Sequence, residues 1–215
     1  ERLIVDGIRA ARPDDAIVGE EGTDTAGTSG VSWLIDPIDG TTNFLYGLPG
    51  YAVSIAASIT GDHHAVLGAV YVPATDELFA AMAGCGATLN GAPIGCSTTN
   101  TLEHALVATG FAYRADRRAV QAARVAQLLP QIRDIRRVGA AAPDLCAVAA
   151  GRVDAYFEEH LGPWDLAAGV LIAREAGCSV AALDGGPVRP ESVIVATPAV
   201  FEPLRTTIAR IDQTT

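Results

Sequence analysis

The run of residues 33–44, Trp-Leu-Ile-Asp-Pro-Ile-Asp-Gly-Thr-Thr-Asn-Phe, constrains this chain more than any other feature. Its apolar, β-type residues end at a proline, which is typical of a buried strand. Asp36 and Asp39 are therefore expected at the carboxyl end of that strand. Gly40 and Thr41 follow with backbone N–H groups and a hydroxyl that suit a phosphate oxygen. Carboxylates bind hard cations such as Mg²⁺, so the run predicts metal-assisted chemistry on a phosphate.

Other acidic segments lie upstream and downstream of this run. Glu20 and Glu21 follow the apolar stretch 16–18, another predicted strand end, and Asp165 precedes a helical pattern over 166–177. Taken singly, each has an ordinary interpretation. Asp-Pro and Asp-Gly are turn dipeptides, two glutamates form a solvated turn, and Asp165 is a favourable helix N-cap. It is the combination that indicates a shared shell of oxygen ligands.

In this order, the three segments resemble those of the inositol monophosphatase family, the lithium-sensitive, magnesium-dependent phosphatases. The matching runs are Gly-Glu-Glu at 19–21, Asp-Pro-Ile-Asp-Gly-Thr at 36–41 and Trp-Asp-Leu-Ala-Ala-Gly at 164–169. The resemblance extends over essentially the whole chain. It implies one domain over residues 1–215 with an α+β fold, a layered αβαβα sandwich of the sugar and inositol phosphatase type.

The resemblance also implies a set of metal ligands for two or three Mg²⁺ ions. Glu20, Asp36 and the carbonyl of Ile38 would hold the first ion. Asp36, Asp39 and Asp165 would hold the second, and a third, weaker ion would lie near Glu20. Two such ions can stabilise both the attacking and the leaving oxygen of an in-line displacement.

Catalytic roles follow from the same resemblance. Glu20 and Thr41 would orient the water that attacks phosphorus, while Asp36, Asp39 and Asp165 would act through the metal ions. The amides of Gly40 and Thr41 would bind the phosphate oxygens. Because water is the nucleophile in this scheme, we predict no phosphoenzyme intermediate.

A second region resembles the part of the family that binds the rest of the substrate. Gly139 and Ala141, at the start of a predicted helix, would contact it, and Asp165 would also do so. Ala140 stands where a hydroxyl residue is frequent, so one polar contact is expected to be missing. Glu158 matches the carboxylate that accepts hydrogen bonds from sugar or cyclitol hydroxyls, although taken singly it would be an ordinary surface glutamate.

The composition narrows the choice of partners. A net charge of −10 argues against binding to nucleic acid or to an anionic membrane, whereas bound divalent ions would still attract an anionic substrate. No apolar run reaches the roughly 18–20 residues that a membrane span requires. The four cysteines show no Cys-x-x-Cys pair, which favours reduced thiols in a cytoplasmic protein. We expect a homodimer with a small phosphorylated substrate.

The local patterns predict alternating strands and helices. They include a strand over 31–36 that ends before Pro37, a glycine-rich loop over 84–95, and helices over 141–150 and 165–176. Residues 1–11 have the pattern of a helix without a capping residue. Since the resemblance implies an earlier helix and strand segment, we expect the natural protein to extend further at its N-terminus.

The predicted function is a Mg²⁺-dependent phosphomonoesterase acting on inositol 1-phosphate or a related small sugar or cyclitol phosphate. The same fold and metal motif serve fructose-1,6-bisphosphatases, 3′-phosphoadenosine phosphatases and a type of histidinol-phosphate phosphatase, which remain alternatives. Two hypotheses without enzymatic activity also remain. The protein would be either a regulatory protein that binds RNA machinery or a structural domain that binds cations. The complete set of predicted ligands favours an enzyme.

Overall fold

The computed structural model describes residues 1–59 and 64–214, which form two β-sheets separated and flanked by helices. The first sheet contains, in both chain and spatial order, β1 (Ala16–Gly19), β2 (Val31–Asp39), β3 (Ala52–Ile59), β4 (Ala65–Val72), β5 (Glu77–Met82), β6 (Ala87–Leu89) and β7 (Ala92–Pro93). β1 and β2 are parallel, and the remaining neighbours are antiparallel. The loop predicted over 84–95 therefore contains two short strands.

The second sheet is formed by β8 (Leu106–Thr109), β9 (Asp134–Arg136), β10 (Ala155–Glu158), β11 (Ser179–Ala181) and β12 (Val193–Ala196). Its spatial order is β11-β12-β10-β8-β9, with β10 parallel to β8 and antiparallel to β12. The helices are α1 (Arg2–Ala11), α2 (Thr41–Leu45), α3 (Ala115–Leu128), α4 (Ala141–Ala149), α5 (Pro163–Glu175) and α6 (Pro198–Asp212). None of the helices in the described ranges is long and apolar enough to cross a membrane.

The helices and sheets form five layers. Buried side chains of α4 and α5, such as Leu145 and Ile172, belong to one core with Phe79 of the first sheet and Tyr156 of the second. On the outer face of the second sheet, α6 packs in a separate core. α1 packs through Val5 on the opposite side of the first sheet from α5. The layer order is αβαβα, which confirms the predicted fold.

The end of β2 has an irregularity that shapes the site. The strand continues through Pro37 to Asp39 instead of ending before the proline as predicted. Asp36 pairs with Ser54 and Asp39 with Ala52, so three steps along β2 match two steps along β3. This one-residue bulge is expected where proline has no N–H for the ladder. In a regular strand, residues three apart face opposite sides, but the bulge turns both aspartates to the face covered by α5.

Candidate active site

A cavity of about 410 Å³ lies where the ends of β1 and β2 meet the beginnings of α4 and α5. It is lined by every site residue predicted from the sequence except Ile38, namely Glu20, Asp36, Asp39, Gly40, Thr41, Gly139, Ala141, Glu158 and Asp165. A larger groove of about 1080 Å³ lies along α5 and the segment 187–190, and its described lining contains no carboxylate. We therefore place the chemistry in the smaller cavity.

Three carboxylates converge on the floor of this cavity. Asp36, Asp39 and Asp165 each offer an oxygen, and these oxygens all lie within 4.8 Å of one another. Each side chain is held by a backbone donor. Asp36 Oδ1 accepts the N–H of Ile38 at 2.9 Å, and Asp39 Oδ2 accepts that of Ala142 at 2.6 Å. Asp165 Oδ2 accepts the N–H of Gly162, three residues earlier, at 2.7 Å.

Two of these donors belong to helix starts. The first N–H groups of a helix have no partner within the helix, so a carboxylate satisfies them and gains from the positive end of the helix dipole. Asp39 thereby joins the end of β2 to the first turn of α4, more than 100 residues later. Asp165 is not the N-cap that its sequence position suggested: α5 begins at Pro163 with Gly162 as its N-cap, and Asp165, the third residue of the helix, accepts the N–H of Gly162. This hydrogen bond and a ligand role are compatible because a carboxylate has lone pairs for both.

Glu20 lies beside this triad but is not part of the group within 4.8 Å. Its side chain is exposed and within hydrogen-bonding reach of Asp36. Its N–H donates to the carbonyl of Ile35 at 3.1 Å, which continues the pairing of β1 with β2. The carboxylate of Glu1 accepts the next N–H, that of Glu21, at 2.9 Å. The segment is thus anchored at the mouth of the cavity.

Burial raises the pKa of all three carboxyl groups of the triad, and like charges nearby add to the effect at Asp36 and Asp39. Desolvation, followed by the charge of Asp39, raises the pKa of Asp36 to about 10. Desolvation and the charge of Asp165 raise the pKa of Asp39 to about 7. Burial also raises the pKa of Asp165. It raises the pKa of Glu20 as well, although that residue is more exposed. Such a set of converging oxygen donors fits hard divalent ions such as Mg²⁺.

We expect the metal-free protein to lose stability as the pH rises. The pKa values of Asp36 and Asp39 lie above the ordinary value of 3.8, so the folded state binds protons more tightly than the unfolded state. The contribution is therefore fully present below about pH 4 and is lost as the pH rises through 7 towards 10. Mg²⁺ should restore stability at high pH, because a ligand at about 100 times its dissociation constant adds about 2.7 kcal/mol.

Thermal unfolding at pH 5 and pH 8, with EDTA or with Mg²⁺, measures this effect. The stabilisation by Mg²⁺ should be larger at pH 8. An equal stabilisation at both values, or none, would contradict the assignment of a cation to these carboxylates.

Gly40 and Thr41 form the turn that follows the aspartates. Gly40 has a φ of +86°, and a Cβ there would lie 2.8 Å from the carbonyl oxygen of Gly50 and 2.9 Å from the Cβ of Ala140. Glycine is therefore required both by the backbone conformation and by the close approach. The Thr41 hydroxyl donates to the carbonyl of Ile38 at 3.1 Å. That carbonyl keeps a second lone pair, so it can still act as a ligand.

Glu158 forms the opposite wall of the cavity. The hydroxyl of Tyr156, which is completely buried, donates to Glu158 Oε2 at 2.6 Å and fixes the carboxylate. A Cβ at Gly110 would overlap Glu158, so this glycine makes room for it. Desolvation raises the pKa of Glu158 to about 7. The carboxylate is thus positioned as a hydrogen-bond acceptor for a bound molecule.

The cavity wall also contains residues that the sequence does not reveal. Asp144, on α4, is buried, and its Oδ1 has no partner among the described residues. Desolvation, with the charge of Glu158, raises its pKa to about 8. A lone acid in the apolar run 141–149 was the signal that could have revealed it. Three arginines, Arg114, Arg117 and Arg137, also line the cavity, but arginines on a surface carry no comparable signal.

This chain is similar to known proteins over almost its whole length. The sequence pattern of the inositol monophosphatase family matches residues 1–213. An inositol-1-monophosphatase of Mycobacterium leprae is 44% identical over 223 residues, covering 99% of this chain and 76% of the relative. A protein named Nus factor SuhB of Escherichia coli K12 is 46% identical over 188 residues, covering 86% of this chain and 70% of the relative.

The fold agrees with solved structures as well. The inositol monophosphatase from Anabaena superposes with a TM-score of 0.91 at 37% identity, covering 97% of this chain and 84% of that one. The chain spans between 64% and 76% of the length of the first curated relatives that it matches. By sequence and by fold, this chain belongs to the inositol monophosphatase family.

Proposed function

We propose that the protein is a Mg²⁺-dependent phosphomonoesterase acting on inositol 1-phosphate or a closely related small sugar or cyclitol phosphate. The observation that carries this proposal is the convergence of Asp36, Asp39 and Asp165 within 4.8 Å on the floor of a cavity. Membership of the inositol monophosphatase family supports the reaction class. The cavity wall opposite the triad, with Glu158 at its centre, supports a substrate that carries hydroxyl groups.

The ligand residues divide into two groups in this proposal. Glu20, Asp36 and the carbonyl of Ile38 would hold one Mg²⁺, and Asp36 would share a second with Asp39 and Asp165. When bound, the ions would supply positive charge to the phosphate oxygens and lower the pKa of a water molecule. A third ion near Glu20 belongs to the same proposal.

Other groups would bind and orient the reactants. Glu20 and Thr41 are proposed to hold the attacking water in line with phosphorus, because both side chains border the triad. The amides of Gly40 and Thr41 would bind phosphate oxygens. Gly139 and Ala141 would border the substrate at the start of α4, and Asp165 would contact it beside the triad. These groups would contribute by orienting the reactants, because holding reactants in the reactive geometry removes much of the entropic cost of the reaction.

Phosphate release from a panel of substrates, with and without Mg²⁺, tests the proposal. The panel should contain inositol 1-phosphate, fructose 1,6-bisphosphate, adenosine 3′,5′-bisphosphate and histidinol phosphate. We expect Mg²⁺-dependent release from inositol 1-phosphate or a near relative, and inhibition of that release by lithium. Absence of release from every ester would sink the proposal, whereas insensitivity to lithium would count against the inositol branch.

Glu158→Gln should raise KM about tenfold and leave kcat within about threefold, since one charge-assisted hydrogen bond corresponds to roughly that factor. The carboxylate would contact hydroxyls away from phosphorus, and such a contact is made similarly in the ground and transition states. Steady-state kinetics with inositol 1-phosphate measure both constants. Glu191→Gln, on an exposed loop, is the control. A collapse of kcat at constant KM would assign Glu158 to the chemistry instead.

A regulatory role is the second candidate. The observation in its favour is that relatives at 46% identity are named Nus factor SuhB. Such a role would not depend on turnover, so a variant without phosphatase activity should retain it. Co-purification of wild type and Asp36→Asn with the RNA machinery of the source cell would separate the two roles.

A further inference from the structure

Two of the four cysteines lie next to each other in the fold although they are far apart in the sequence. The thiols of Cys96 and Cys178 are within hydrogen-bonding reach of each other. Cys178 is a buried member of the core between the two sheets, and Cys96 packs against that core as a partly buried residue. Neither is among the described residues that line the candidate active site. The proposed phosphatase chemistry therefore leaves this pair of thiols without a role.

The end of α5 fixes the backbone at Cys178. Ala176 is the C-cap of this helix, and Gly177 follows it with a φ of +89°, a left-handed conformation that favours glycine. The N–H of Cys178 donates to the carbonyl of Ala173 at 3.0 Å, and the N–H of Gly177 donates to that of Arg174 at 3.0 Å. These two hydrogen bonds form a Schellman motif. Cys178 is thus tied to the last turn of α5 before β11 begins.

The segment that carries Cys96 is anchored as well. It follows β7 and leads from the first sheet to the second. The N–H of Cys96 donates to the carbonyl of Ala176 at 3.1 Å, only two residues before Cys178. One residue further along the chain, Ser97 Oγ donates to the buried carboxylate of Asp154 at 2.5 Å. The contact between the two thiols therefore lies between two fixed pieces of backbone.

The two thiols differ in their surroundings. Cys96 is partly exposed, whereas Cys178 is buried. Burial, with Cys96 as its neighbour, raises the pKa of the Cys178 thiol. An oxidant in solution therefore reaches Cys96 first, because oxidation of a thiol depends on its exposure and on its thiolate form. A second thiol next to the oxidised one is the arrangement in which a sulfenic acid is converted to a disulfide.

We propose that Cys96 and Cys178 are a reversible redox pair, with hydrogen peroxide as the oxidant. The sulfur of Cys96 attacks one oxygen of the peroxide, the O–O bond breaks, and the leaving hydroxide takes the thiol proton as water. The sulfur of Cys178 then attacks the sulfenic sulfur of Cys96. The S–S bond forms, the S–O bond breaks, and the second hydroxide leaves with the proton of Cys178 as water. Two electrons pass from the sulfurs to the peroxide, and both of its oxygens end as water.

The disulfide has two expected consequences. It closes a loop of about 80 residues, which removes conformational freedom from the unfolded chain and should stabilise the oxidised protein. It also protects Cys96 from further oxidation to the sulfinic acid, a step that is irreversible for most proteins. A dithiol reductant restores both thiols by thiol–disulfide exchange, in which the reductant becomes a disulfide. The pair thus consumes an oxidant without permanent damage to the chain.

Treatment of the folded protein with a small excess of hydrogen peroxide tests the proposal. The protein is then unfolded in the presence of a thiol-alkylating reagent, and its peptides are analysed by mass spectrometry. We expect two of the four cysteines to escape alkylation, a peptide that links Cys96 to Cys178, and recovery of all four thiols after dithiothreitol. The midpoint of thermal unfolding should be higher for the oxidised protein by about 5 °C or more.

Three variants assign the sulfurs. Cys96→Ser should form no intramolecular disulfide and should keep Cys178 reduced, because that thiol is buried. Cys178→Ala should accumulate sulfenic and then sulfinic acid at Cys96, and a dimedone adduct reports the first of these. Cys85→Ser is the matched control, because Cys85 is exposed and its loss should leave the linkage of wild type unchanged.

The proposal is overturned if all four cysteines of the folded protein remain open to alkylation after peroxide, or if the linkage joins another pair. It is also overturned if the same linkage forms as readily in protein that was unfolded before the peroxide was added, since the fold would then have no part in it. None of these measurements involves turnover of a phosphate ester. The outcome is therefore independent of the proposed phosphatase function.

Discussion

Asp36→Asn should reduce Mg²⁺-dependent phosphate release by more than about a hundredfold while leaving the fold intact. Loss of an outer-shell partner of a metal commonly costs 10- to about 100-fold, and Asp36 is proposed as a direct ligand shared by two ions. Asparagine can still accept the N–H of Ile38, which Asp36 accepts at 2.9 Å. Steady-state phosphate release at saturating Mg²⁺ measures the effect.

The same variant should be more stable than wild type in the absence of metal. Asp36 is buried beside Asp39 and Asp165, and burial with these charges raises its pKa to about 10. Removing the ionisable group relieves this repulsion, so the midpoint of thermal unfolding in EDTA should rise. Asp184→Asn, on an exposed loop paired with Arg189, is the control that should change neither activity nor the effect of Mg²⁺. Near-wild-type turnover of Asp36→Asn would falsify the two-metal assignment.

The sequence could predict the three carboxylates of the triad but not how they meet, and it did not reveal Asp144. Two carboxylates three residues apart would face opposite sides of a regular strand, and the proline between them predicts the end of the strand. The bulge at Asp36–Asp39 is a property of the pairing with β3, which a local pattern does not contain. The contact of Asp39 with the N–H of Ala142 joins segments more than 100 residues apart. Local periodicity cannot establish such a contact.

Short elements and the arginines that line the cavity were beyond prediction for different reasons. α2 is a short helix of Thr, Thr, Asn, Phe and Leu at 41–45, and all but the leucine have low helix propensity, so it forms only because the surrounding structure supports it. β6 and β7 occupy a glycine-rich stretch that resembles a loop. Arg114 and Arg117 have no pattern that separates them from other surface arginines. Asp165, by contrast, has a sequence position that suggests both an N-cap and a ligand, but α5 begins two residues earlier than expected, so Asp165 accepts the N–H of the N-cap Gly162 from within the first turn.

This hydrogen bond and the proposed ligand role make Asp165→Asn the second substitution with a large expected effect. Asparagine retains the oxygen that accepts the N–H of Gly162, so the first turn of α5 should keep this hydrogen bond. The negative charge next to Asp36 and Asp39 is lost. We therefore expect phosphate release to fall by more than about a hundredfold and the Mg²⁺ concentration for half-maximal activity to rise, because a proposed direct ligand should matter more than an outer-shell one.

Two further variants separate the charge from the hydrogen bond. Asp165→Ala removes both, and it should be less stable than Asp165→Asn by about 1 kcal/mol, the usual net contribution of one hydrogen bond. Glu175→Gln changes the charge at the other end of the same helix, where the carboxylate accepts the N–H groups of Gly84 and Gly86 at 2.9 and 2.7 Å. Its turnover should stay near that of wild type. If Asp165→Asn were as active as Glu175→Gln, Asp165 would only stabilise the start of its helix, and the second ion would need another ligand.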